Sequence, residues 1–102
     1  MGIQASDQWT RQLDIESGVL ILGVIPESGA AKAGLQPTRR SANRILLGDI
    51  ILAIDGRPIR QVRDYFAVMT DHKVGETVKV TIQRGEEQLD VEVTLSPLPD
   101  RS

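Results

Sequence analysis

The sequence predicts a mainly β domain with two helices, built as a small, partly open antiparallel β-barrel or sandwich whose open ends the helices cap. Three observations carry this. Val19–Ile25 and Ile50–Ile54 are continuous apolar runs of strand length, which read as strands buried on both faces. Val78, Val80 and Ile82, and then Leu89, Val91, Val93 and Leu95, alternate with polar residues, so each segment has one wet and one buried face. Only Ala30–Ala33 and Val62–His72 carry helical signals.

The first apolar run ends at Pro26, and Pro26-Glu27-Ser28-Gly29 makes a turn. Ala30-Ala31-Lys32-Ala33 is a short helix, with Ser28 as N-cap and Gly34 as left-handed terminator. Three alanines in one turn imply close packing against a neighbour. Gln36–Arg44 reads as a polar loop, and Leu46-Leu47-Gly48-Asp49 leads into the second apolar strand. Asp55-Gly56 is a strong turn signal, and Arg57-Pro58-Ile59 a short edge strand, since Pro58 cannot donate to a ladder. In the longer helix Val62, Tyr65, Phe66 and Met69 recur at helical spacing, with Val68 widening the apolar face. His72 and Lys73 suit the negative end of its dipole, and Gly75 stops it. Arg84-Gly85-Glu86-Glu87 joins the two alternating strands.

The 102 residues fit one domain, predicted over 1–97, with 98–102 a tail or linker after Pro97. Trp9, Tyr65 and Phe66 are the only aromatics, so the core is aliphatic. Trp9 reads as packing over the open edge of that core rather than as a surface for a neighbouring subunit. The net charge is −2 with acids and bases interleaved, which excludes the basic surplus of a nucleic-acid binder. The Arg39, Arg40 and Arg44 stretch reads as a solvated loop, so neither nucleic acid nor membrane is an expected partner. The absence of cysteine removes disulfides, thiolate metal sites and thiol nucleophiles. With His72 the single imidazole and no nucleophile turn, no catalytic triad is expected. Neither a metal nor any other cofactor is expected, since one histidine and scattered carboxylates give no ligand spacing.

Four strings coincide in order. Pro26-Glu27-Ser28-Gly29-Ala30-Ala31-Lys32-Ala33-Gly34-Leu35 resembles the P-x-S-P/G-A-x-x-A-G-L segment of PDZ domains in bacterial and plastid proteases. Leu47-Gly48-Asp49-Ile50-Ile51-Leu52-Ala53-Ile54-Asp55-Gly56 is similar to their x-G-D-x-I-x-x-I-D/N-G signature. Val74-Gly75-Glu76-Thr77-Val78 and Arg84-Gly85 match the strings that follow. The chain thus resembles, over nearly its whole length, the PDZ domain of an HtrA/Deg-type, trypsin-like serine protease. The longer loop between Gly34 and Gly48 looks more like the photosynthetic Deg branch. Most of these matching residues serve folding: Gly34, Gly56 and Gly48 suit positive φ, and Asp49 supports its turn.

The resemblance implies a site. In such domains a peptide adds as an extra strand beside a helix, and a glycine loop holds its carboxylate on backbone amides. The loop here is Met1-Gly2-Ile3, the pairing strand Ile3-Gln4-Ala5, and the groove helix Val62–His72. Tyr65, Val68 and Met69 are candidates for the pocket wall, with core packing the alternative for each, and His72 lies near the same rim, with a solvated helix end as its alternative. Implied partners are the C-termini of peptides or unfolded proteins, a protease domain in cis and homo-oligomer contacts through the parent protein. The implied place is the cell envelope or periplasm, or the thylakoid lumen. A scaffold or oligomer-contact domain with a degenerate groove is the competing expectation.

Overall fold

The computed structural model describes residues 2–5, 18–26, 28–42, 44–73 and 75–95. Met1, Trp9 and the 98–102 tail, named above, lie outside the described residues. The elements run β1 (Ile3–Gln4), β2 (Val19–Leu20), β3 (Gly23–Val24), α1 (Gly29–Ala33), β4 (Arg39–Ser41), β5 (Arg44–Leu46), β6 (Ile50–Ile54), β7 (Arg57–Pro58), α2 (Val62–Thr70), β8 (Thr77–Arg84) and β9 (Glu87–Thr94). The main sheet runs β2-β6-β8-β9, with β7 also on β6, and all pairs are antiparallel. β1-β3 and β4-β5 form separate two-stranded ladders. The mainly β architecture with open antiparallel sheets, and two helices among the described residues, is as the sequence predicts.

The alternating segments form the longest ladder. β8 and β9 pair from Thr77↔Thr94 to Arg84↔Glu87, and Gly85-Glu86 is the turn. Val78, Val80, Ile82 and Val93 are completely enclosed, meeting Ile51 and Ile54 from β6. Each such side chain contributes about 1.5–3 kcal/mol relative to exposure. Asp55 and Gly56, at φ 50° and 81°, make the two-residue turn between β6 and β7, where Asp tolerates the left-handed region.

The caps of α1 match expectation. The Ser28 hydroxyl accepts the Ala31 amide at 3.3 Å, and Gly34 sits at φ 84°. Ala30 is fully buried and α1 lies against β9. In α2 Tyr65 and Val68 point into the core, flanked by partly buried Val62 and Met69. The helix ends at Thr70 rather than His72, with Asp71 as its cap, so Gly75, four residues beyond the cap at φ 98°, is not what stops it.

Four further expectations need correction. The run Val19–Ile25 is not one strand. It breaks at Ile21–Leu22 and changes sheets, β2 pairing with β6 and β3 with β1. The break is held by backbone bonds that leave the ladder: the Ile21 N–H donates to Asp49, and the Ile21 carbonyl accepts from Thr38. The polar loop after Pro37 contains the β4-β5 hairpin, with Ala42 at φ 54° in its turn. Phe66 lies off the buried face of α2 and is 61% exposed. Finally, Gly48 does not need positive φ. A β-carbon there would collide with the backbone of Gln36, Pro37 and Thr38, so close approach is what excludes a side chain.

Candidate functional site

β1 is a two-residue strand that pairs with β3 along one side. The carbonyls of Gly2, just before it, and of Gln4 accept the amides of Ile25 and Leu22, both at 2.7 Å, so they face β3. Strand alternation then turns the amide and carbonyl of Ile3 to the opposite side. Among the described residues β1 pairs only with β3. Ile3 and Ala5 are half-buried and packed against the core, while Gln4 is exposed.

Gly2 enters this strand at φ 85°, and it is buried. A β-carbon there would run into the Ser28 side chain, which is itself buried and occupied as the α1 cap. The loop before β1 is therefore pressed against the start of α1, and only glycine fits. Ser28 as the wall behind Gly2 was not foreseen. The sequence marks it as a cap and carries no sign of this second contact.

The predicted groove residues on α2 are not equivalent. Tyr65 is 6% exposed and Val68 2%, so both belong to the core, while Met69 is partly exposed at its margin. Burial pushes the Tyr65 phenol up to about 12. The folded state thus favours the protonated phenol, and that contribution is complete below pH 10 and lost as pH rises from there through about 12. Phe66 stands exposed beside Tyr65, ring centroids 5.4 Å apart in an edge-on contact. His72 is largely buried, and it meets Glu76 Oε2 at 3.1 Å and Asp55 Oδ2 at 3.7 Å.

The long loop is anchored by one ion pair. Asp49 is fully enclosed, and both its oxygens are held by Arg84, with Nε at 2.9 Å and a terminal nitrogen at 2.8 Å. The Gln36 amide donates to the same carboxylate at 2.9 Å, and Arg84 also reaches the Gly34 carbonyl at 3.2 Å. The Asp49 carboxylate raises the Arg84 guanidinium above its ordinary value, hydrogen bonding first. The end of α1, the approach to β6 and the end of β8 are thereby tied together. This arrangement supports the scaffold and touches no described part of the β1 edge.

The sequence pattern of the PDZ domain family matches residues 1–95. The chain belongs to the PDZ domain family. It is 41% identical to Protease Do-like 1, chloroplastic, of Arabidopsis thaliana, over 100% of this chain and 24% of that protein. It is 32% identical to a probable periplasmic DegP-like serine endoprotease of Pseudomonas putida, over 86% of this chain and 16% of that protein. The HtrA3 PDZ domain solved with a phage-derived ligand, FGRWV, superimposes with a TM-score of 0.69 at 20% identity, covering 92% of this chain and 81% of that one. This PDZ domain thus shares its fold with an HtrA domain, and its relatives are HtrA/Deg-type proteases from chloroplast and periplasm. It spans no more than about a quarter of the length of those two relatives.

Proposed function

We propose that this PDZ domain captures a C-terminal or extended peptide by strand addition at β1, as the substrate-recognition and regulatory domain of an HtrA/Deg-like serine endopeptidase. The observation that carries the reading is the outward edge of Ile3, unpaired among the described residues and preceded by a buried glycine at positive φ. Main-chain pairing to Ile3 and Ala5 supplies affinity, Gln4 lies exposed along the same strand, and the amides around Gly2 and Ile3 take the carboxylate, as in the loop the family places there. Met1 belongs to that loop in this reading. Met69, with Tyr65 and Val68 behind it and His72 at the rim, forms the apolar wall. The catalytic chemistry belongs to a trypsin-like domain in cis, and homo-oligomer contacts come through that parent protein. The compartment is the cell envelope or periplasm, or the thylakoid lumen, in keeping with the relatives named above.

The test is a calorimetric titration with one pentapeptide in two forms, C-terminally free and amidated. Amidation removes charge-assisted hydrogen bonds, so affinity is expected to fall at least about tenfold. Equal affinities for the two forms rule out carboxylate capture. A second reading draws on the deep burial of Tyr65 and Val68, which leaves little side-chain pocket. In that reading the domain is a scaffold or oligomer contact with a degenerate groove, and neither peptide binds.

A further inference from the structure

His72 stands between two carboxylates that are each held by one oxygen and offer the other. Asp55 is fixed in its turn: its amide donates to the Lys79 carbonyl at 2.8 Å, and its Oδ1 accepts the Lys79 amide at 2.8 Å. Its second oxygen lies 3.7 Å from His72 Nε2. Glu76 mirrors it. Oε1 accepts the Lys73 amide at 2.8 Å, its backbone carbonyl accepts the Leu95 amide at 2.8 Å, and Oε2 lies 3.1 Å from His72 Nδ1. The imidazole side chain is only 16% exposed, so it is held where both carboxylates reach it.

A neutral imidazole carries one N–H and one lone pair, so it can donate to one carboxylate while its lone pair faces the other. An imidazolium donates at both nitrogens. We propose that His72 is a proton-operated clamp, which on protonation ties the C-terminal end of α2 to both the β6–β7 turn and the start of β8. Arg57 on β7 is engaged with Asp71 at 2.9 Å, and the Lys73 charge adds to that of His72 in favouring the Glu76 carboxylate. The inference concerns the end of the helix and does not depend on peptide binding.

Glu76 sets the acid limit of the clamp. The hydrogen bond from His72, then the Lys73 amide, lowers the Glu76 carboxyl below its ordinary range. The contribution of Glu76 is therefore present above that ordinary range and lost as pH falls through the lowered value.

The test compares thermal unfolding of the chain at pH 7.5 and pH 5.5, unmodified and as H72Q, which keeps a polar side chain that cannot charge. On acidification the unmodified chain is expected to gain roughly 1–5 °C relative to H72Q, the range for a partly exposed pair in a domain of this size. The double variant D55N/E76Q is expected to erase that gain with His72 still present. Parallel shifts in the unmodified chain and H72Q overturn the clamp. So does a full gain retained in D55N/E76Q. Peptide affinity enters neither arm, so the clamp and the proposed groove fail separately.

Discussion

The β8–β9 hairpin and the β1–β3 ladder are both antiparallel pairs, yet they are built for opposite ends. The hairpin pairs eight residues a side, its inner face is enclosed, and Thr81 and Thr77 make cross-strand bonds to Asp90 and Thr94 on its outer face. β1 and β3 pair over two residues each. The first is a self-sufficient wall that carries the core. The second holds a strand in position with little ladder of its own, leaving backbone polar groups turned outward. On the proposed function, the stable part and the receptive part are thus separated by ladder length.

The largest way to break that contrast is to hollow the wall. Ile82→Ala, at a fully buried position facing Ile51, is expected to cost about 3–4 kcal/mol in urea unfolding. Peptide affinity in the folded fraction should be unchanged. Next comes the anchor of the long loop. Arg84→Met leaves the enclosed Asp49 carboxylate with the Gln36 amide as its remaining partner and is expected to cost roughly 2–3 kcal/mol. That figure lies below a fully buried pair because Arg84 is 41% exposed. Adding Asp49→Asn should recover part of the loss, since a neutral amide is cheaper to bury than a bare charge. The smallest effect on stability is expected at the receptive side. Met69→Lys lies at the core margin, where the ammonium can reach water, so unfolding should move by under about 1 kcal/mol. Peptide affinity should nevertheless fall at least about tenfold. Unchanged affinity would place the wrong face of α2 in the groove.

The wall was largely legible. Alternation at Val78, Val80, Ile82, Val91 and Val93 specifies a strand period and a buried face at once, and Gly85 marks the turn. The caps of α1 and the Asp55-Gly56 turn were legible because those conformations select residue types. What escaped depends on partners distant in the chain. A continuous apolar run cannot say that it changes sheets at Ile21, since either strand looks the same from within. Arg84 and Asp49 meet across 35 positions, and no local pattern marks a surface-looking arginine as the partner of a buried acid. Phe66 fits the same helical spacing as Met69, and the packing against the sheet decides which of them turns inward. Of the candidate site, the glycine before β1 and the helix were legible through the family strings. The unequal depth of Tyr65, Val68 and Met69 was not.

The most direct measurement is amide hydrogen exchange at Ile3, Gln4 and Ala5, with and without a saturating, C-terminally free pentapeptide. Strand addition is expected to slow exchange at Ile3 and Ala5, whose amides face outward, and to leave Gln4, already turned toward β3, nearly unchanged. Protection that appears elsewhere in the domain while Ile3 and Ala5 exchange as before would contradict the account.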